Sequence, residues 1–361
     1  MLGLVACGGG TESSTADSPS SSPSAAPDVA AAKEQAKEFR TLGMPDEWTN
    51  YAGFFQSLCD TSELGCEGSG RGPNRKDTDM TSAEEINSFI NETATPGMCA
   101  DIGVTFGQVA EAEDALLKYP SKGSEELPEF YRAKEGGWVV NVVGVISILT
   151  NTDVVPNPPR SWADLEKAEY QGLIAIKSPS KSGTGQAMLF SAAAALGSSP
   201  DDLDTAIEYF KGLSKAGQFT RTAYSAAAFE RGETPIVLYY DYVNLQTRRL
   251  AEEKGISTEL VIPAEGGVWS PSAVMCNKLT DDPDLAKLTL DHVLSDEGQL
   301  EFARAGARPI RFVLDDLEIP EDIKAGWLPE EQYAKVVDFP VEQWPDPTEV
   351  GLRWESEVVG G

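Results

Sequence analysis

Histidine is almost absent from this 361-residue chain. There is one, His292, and that scarcity removes most imidazole-based metal centres and nucleophiles activated by a neighbouring imidazole. Basic residues are also few, 29 Lys and Arg against 58 Asp and Glu, for a formal net charge of −29. Phosphate neutralisation needs clustered Lys and Arg, so a nucleic-acid surface is excluded. The acidity fits a solvated, aggregation-resistant surface and says little about a ligand. No apolar run has the length that spans a bilayer. The longest candidate, 139–149, is strand-length and contains Asn141 and Gly144. G-x-S-x-G, H-E-x-x-H and the phosphate-binding G-x4-G-K-[ST] order are missing, so neither a hydrolase nor a nucleoside-triphosphatase is supported. A chain that performs no catalysis and needs no cofactor is expected.

The first residues are informative in their own right. An apolar run, Leu2 to Ala6, ends in a small residue before Cys7 and three glycines. The string LVAC resembles the lipobox of bacterial and archaeal lipoproteins, which makes residues 1–7 the end of a shortened signal peptide and Cys7 the lipidated residue. Residues 8–37 begin almost entirely as Gly, Ser, Thr, Pro, Ala and Asp, too poor in large apolar groups to offset ordering entropy. A flexible tether is expected there. Four cysteines then remain in an exported chain, so disulfides are expected in place of metal ligation. Three connectivities are open. The favoured one joins Cys59 with Cys66 in a local Gly-rich loop and leaves Cys99 with Cys276. The spacing lacks a C-x2-C knuckle, so no metal site is assigned.

Beyond the tether, helical and strand-length segments alternate. Helices are expected at 33–39, 46–58, 82–93, 161–169, 185–196, 201–216, 224–231, 242–253, 283–293 and 296–305, most opening on Ser, Thr, Asp or Pro. Apolar runs at 102–106, 139–149, 173–176, 236–240, 259–262 and 272–276 have strand length. This alternation implies an α/β fold with largely parallel sheets. From Pro320 onward, tryptophans among prolines and acids suit an extended wrap ending in a short helix.

Several segments in a fixed order carry a family likeness: VVNVVGVISILTN, SWADLEKAEYQGLIAIKSPSKSGTG, RGETPIVLYYDY, VIPAEGGVWSPSAV and LSDEGQLEFARAGARPIR. Together they resemble the family 1 extracellular solute-binding proteins, in the branch of iron(III), polyamine, thiamine and phosphonate binders. The resemblance implies the type II periplasmic-binding-protein fold, two α/β lobes on a hinge of crossing strands with a small-molecule ligand between them. It places lobe 1 at 38–146 plus 262–312, lobe 2 at 147–261 and a C-terminal wrap at 313–361. The crossings fall near Gly144 and 263–267, where glycine absorbs hinge dihedrals. The chain's return would bring the strand before Cys276 beside the strand after Cys99, on which that pairing depends. The implied partners are the permease subunits of an ABC importer, and the implied setting is extracytoplasmic, as a monomer on a lipid anchor.

Open α/β sheets bind ligands outside the carboxyl ends of strands. Trp48 and Asn50, Asp79 and Ser82, and Phe106 and Gln108 therefore become candidates, with Gly144 and Trp269 at the crossings. Ser180, Ser182, Gly183 and Thr184 open a helix. They suit either an anion or simple capping. Tyr240, Asp241 and Tyr242 combine aromatic faces with a carboxylate, which suits an alkylammonium group. A polyamine or other cationic amine is thus the expected cargo, with a phosphonate or phosphate ester, iron(III) or a non-transport sensing role as alternatives. The paired tyrosines of ferric binders align with Tyr242 and Val243, so that pair is broken.

Overall fold

The computed structural model describes residues 25–64, 74–92, 94, 96–199 and 201–361. Lipidation at Cys7 and the partner position Cys66 lie outside these. Cys59 itself is disulfide-bonded.

Among the described residues, twelve strands form the framework. The first four are β1 (Phe39–Leu42), β2 (Arg75–Thr78), β3 (Cys99–Gly103) and β4 (Trp138–Gly144). They are followed by β5 (Ile146–Asn151), β6 (Ile174–Ala175), β7 (Ile236–Tyr240) and β8 (Thr258–Val261), and then by β9 (Gly267–Val268), β10 (Ser270–Cys276), β11 (Arg308–Pro309) and β12 (Val336–Val337). One sheet runs β11-β4-β10-β3-β1-β2 and a second β6-β7-β5-β8, while β12 pairs with β9. The protein therefore has two α/β lobes, one on each larger sheet.

The apolar run at 139–149 is two strands and not one. β4 ends at Gly144 and β5 starts at Ile146 in the other sheet, with Val145 as the crossing residue. The returning β10 enters antiparallel to both β3 and β4, and β5 lies antiparallel to β7 and β8. The sheets are consequently mixed, not largely parallel, because strands that cross the hinge insert reversed. In register, Cys276 stands opposite Cys99 and the two are joined by a disulfide with Cα atoms 4.0 Å apart.

Helix Tyr51–Thr61 shows why these segments bury as they do. Tyr51, Phe54, Phe55 and Leu58 recur at helical spacing and pack on helix Asp296–Arg304 through Phe302, whose ring stacks on Phe54 at 5.0 Å. Three expectations fail. The segment 161–169 forms two 3-10 turns, with Lys167 extended between them, because Gln218 Nε2 donates to the Leu165 and Lys167 carbonyls that a helix would need. Within the expected tether, Val29–Gln35 is a helix capped by Asp28. It is docked on helix Pro283–Val293, where Ala32 is buried and the Gln35 side chain accepts from Leu285 N. Gln108 and Phe106 do not end a strand. They lie in helix Val104–Ala112, which starts directly after β3.

The C-terminal segment binds both lobes. Trp327 Nε1 donates to Ala303 O beside the first sheet, β12 extends β9, and Trp354 packs on Phe210 beside the second.

Candidate ligand cleft

The lobes meet face to face. A Cβ on Gly103 would lie 2.6 Å from Gly183 Cα, so the two backbones touch where only glycine fits. Ala83 N donates to Lys181 O at 3.2 Å, and Thr105 Oγ1 to Gln186 Oε1 at 2.8 Å. Beside these contacts lies a cavity of about 60 Å³, walled by both lobes.

The lobe 1 wall is acidic. Asp101, in β3, has Oδ1 accepting from Ser272 Oγ at 2.7 Å and Oδ2 accepting from Tyr51 OH and, at 3.4 Å, from Asn141 Nδ2. Burial drives its pKa up to about 6 against the pull of those hydrogen bonds. Glu85, in the first turn of helix Ser82–Asn91, is 1% exposed, and its Oε2 has no hydrogen-bond partner. Burial pushes its carboxyl well above the usual range, and its strongest charged neighbours, Asp101, Asp77, Asp79 and Glu84, push the same way. Its Oε1 occupies the space beside Gly43, where a Cβ would lie 1.8 Å away. Gly43 has φ +59, so glycine serves both the turn and the carboxylate. Asp79 lies exposed at the mouth.

The lobe 2 wall differs. Lys177 lines the cavity with Nζ 5.7 Å above the Tyr239 ring. Ser182 precedes helix Gly183–Ala195, yet its side chain makes no capping hydrogen bond, and Thr184 lines the cavity beside it. Trp48 joins the walls, set edge-on to Tyr239 at 5.6 Å, and its indole N–H acts on the Asp101 carboxyl, holding its pKa down.

Of the residues expected to hold ligand, Trp48, Asp79, Ser82, Ser182, Thr184 and Tyr240 line this cavity. The others are engaged elsewhere. Asn50 adopts φ 60, caps helix Tyr51–Thr61 through Gly53 N and donates to Glu301. Phe106 and Ser180 line a separate groove under helix Pro347–Arg353, where Ser180 Oγ donates to Glu355. Gln108 is exposed outside the cavity. Gly183 is an inter-lobe contact, and Gly144 leaves room for the Tyr242 ring, 2.5 Å from where its Cβ would be. Tyr242 is buried behind the wall, stacked on Tyr240 at 5.3 Å.

Asp241 is the main correction. Its carboxylate turns to the hinge, accepting from Val145 N at 3.0 Å and Tyr333 OH at 2.7 Å, near the Arg308 guanidinium. Arg308 in turn lies 3.8 Å from the Tyr333 ring centre and 5.2 Å from that of Trp269, which stacks on Tyr333. Asp241 and Trp269 thus belong to a clasp between hinge and C-terminal segment. His292 is remote as well, hydrogen-bonded to Ser57 and Ser295 against Phe54, and burial lowers its pKa to about 4.

Beside two mixed sheets joined by crossing strands, with a polar cleft between them, the sequence of residues 99–336 matches the family pattern of a bacterial extracellular solute-binding protein. The chain belongs to this family. Several solved structures share the fold of this solute-binding protein. The periplasmic binding protein AfuA of Actinobacillus pleuropneumoniae, with exogenous fructose-6-phosphate bound, aligns at TM-score 0.69 and 18% identity, over 90% of this chain and 100% of that one. AgtB of A. tumefaciens R10, in complex with agropinic acid, gives 0.66 and 15%, over 89% and 98%. Iron-bound HitA of Pseudomonas aeruginosa gives 0.63 and 14%, over 88% and 98%. An uncharacterised protein of Haemophilus influenzae is 29% identical over 210 residues, 55% of this chain and 58% of that relative, so the match spans rather more than half of its length.

Glu85, Asp101, Lys177, Tyr239 and Ser272 are cleft residues that sequence reasoning left out. Tyr239 stood in a string already singled out, where strand alternation argues that only one of two neighbours reaches the cleft, yet both Tyr239 and Tyr240 line the cavity at the end of β7.

Proposed function

We propose that this solute-binding protein is the capture component of an ABC importer, that its cargo is a small organic cation bearing a protonated amine, and that Cys7 carries a lipid holding it at the outer face of a membrane. The observation that carries the cargo assignment is Glu85: a buried carboxylate on the cavity wall, with one oxygen unpartnered and carboxylates as its strongest charged neighbours. Burial favours the neutral acid at Glu85, and an ammonium group supplies the counter-ion and up to three donors that stabilise its ionised form. Trp48, Tyr239 and Tyr240 add aromatic surface for the same cation. In this reading the amine binds both walls, which favours the arrangement with the lobes together, and that arrangement docks on the permease.

A second reading has one observation in its favour. Lys177 and the uncapped Ser182 hydroxyl at a helix start suit a phosphate ester, and AfuA binds a sugar phosphate on this fold. Iron is less suited, because of the two positions that align with the tyrosine pair of ferric binders one is Val243 and the other, Tyr242, is buried behind the cavity wall.

A thermal-shift screen across alkylamines, polyamines, sugar phosphates, phosphonates and ferric salts separates these. A ligand at 100 times its Kd adds about 2.7 kcal/mol. Amines are expected to raise the melting temperature. A response confined to the anions would replace the amine reading with the phosphate one.

A further inference from the structure

The lobes also hold each other through side chains outside the cavity. Gly103 precedes helix Val104–Ala112 on one lobe, and Gly183 opens helix Gly183–Ala195 on the other. Thr105 stands two residues beyond the first glycine and Gln186 one helical turn beyond the second, so the close approach of the two glycine backbones brings these side chains together. Both residues are buried, at 2% and 1% exposure, and Thr105 Oγ1 donates to Gln186 Oε1 across the lobes. The carboxamide is held from its other end, where Nε2 donates to Pro179 O at 3.2 Å. A Cβ on Gly185 would lie 2.5 Å from the Pro179 nitrogen, so the helix is packed directly on the loop that supplies this acceptor. Thr105 and Gln186 are not among the residues that line the cavity between the lobes.

We infer that Thr105 and Gln186 are positioning residues for solute capture, their hydrogen bond being a latch that favours the arrangement with the lobes together whatever the solute. With the lobes together, each group is shielded from water and satisfied by the other. With the lobes apart both are hydrated, so the bond itself adds only modestly to closure. Its removal is asymmetric. Thr105→Val keeps the side-chain shape but leaves Gln186 Oε1 buried without its donor, a penalty that falls on the closed arrangement and spares the open one. The fraction of protein already closed scales the apparent affinity for any solute that needs both walls. The latch thus acts on capture through the closing equilibrium and not through a contact with the solute.

Ala83 provides a reporter. It is the second residue of helix Ser82–Asn91, where an amide has no acceptor within the helix, and its N–H donates instead to Lys181 O on the other lobe. The amide of Cys276, which donates to Gly137 O at 2.8 Å inside lobe 1, is the internal reference. Hydrogen exchange followed by NMR on the full chain, freed of bound solute by dialysis from denaturant, tests the latch. The Ala83 amide is expected to exchange at least roughly tenfold more slowly than an open-chain amide. Thr105→Val is expected to speed it about fivefold or more, the lower end of the penalty for an unpaired buried acceptor, while Thr105→Ser, which keeps the hydroxyl, leaves it unchanged. Cys276 exchange is expected to be the same in all three proteins. An unprotected Ala83 amide in the unsubstituted protein, or equal protection in Thr105→Val, would overturn the inference. So would Cys276 accelerating alongside Ala83, since that makes Thr105 a support of lobe 1 alone. None of these outcomes depends on which solute binds, so the amine reading stands or falls separately.

Discussion

Glu85 and Asp101 owe their chemistry to neighbours supplied by distant parts of the chain. Asp101 meets Ser272 and Tyr51, and Glu85 meets Gly43. Because burial holds Asp101 near pKa 6 and Glu85 higher than usual, both are increasingly protonated in mild acid. Amine affinity should therefore fall as pH drops from 7 to 5, by roughly tenfold from Asp101 alone and further through Glu85, as titration at several pH values would show. For stability the sign is reversed. The folded pKa of Asp101 lies above its ordinary 3.8, so its contribution is present in acid and is lost as pH rises from about 4 to about 6. His292, lowered from 6.5 to about 4, gains stability across nearly the same window, so the two offset each other. Asp101→Asn is expected to expose the His292 limb, with unfolding free energy rising by ~3 kcal/mol between pH 4 and 6.5. Gly43→Ala would place a methyl on the Glu85 carboxylate at a positive φ and should cost roughly 1–3 kcal/mol, measurable by denaturant titration. Trp48 and Asp79 were legible in the sequence because they sit in loops beyond strand ends. Glu85 was not, because a Glu three residues into a helix usually reads as a solvated or capping group.

Elements were more legible than sites. Alternating helices and strands announced an α/β fold, and helix starts at Ser82, Pro283 and Asp296 are where capping residues placed them. The failures share a cause, which is that local pattern does not reveal a tertiary partner. Gln218 takes the carbonyls that would have continued a helix at 161–169, and the hinge divides one apolar run between two sheets. The pairing of Cys99 with Cys276 rested on the return of the chain, and β10 lies beside β3 as that required. Closing a chain segment of 177 residues, this bridge should contribute up to ~5 kcal/mol. The double variant Cys99→Ala, Cys276→Ala is expected to unfold at correspondingly lower denaturant in the absence of any reductant. The helix at Gly183–Ala195 is held against β3 by the contact of Gly183 with Gly103. Gly183→Ala should keep the lobes apart without unfolding either, which small-angle scattering would register as a larger radius of gyration and titration as weaker binding.

At the scale of the whole molecule, the cleft and the hinge are separate devices built from adjacent residues at the end of one strand. β7 presents Tyr239 and Tyr240 to the cleft, and the next residue, Asp241, secures the crossing at Val145 and the C-terminal Tyr333. The C-terminal segment, which contacts both lobes, is placed to couple their relative position to whatever fills the cleft. We propose segments 38–146 plus 262–312 and 147–261 as the two bodies that move. The central claim is that a protonated amine sits between them on Glu85 and Asp101. A crystal structure of the complex with the amine most effective in the thermal screen tests it directly. The account predicts the ligand nitrogen within about 3 Å of a Glu85 or Asp101 carboxylate oxygen, with Trp48 and Tyr239 on either side. An anionic group in that position, or a ligand bound outside the cleft, would contradict it.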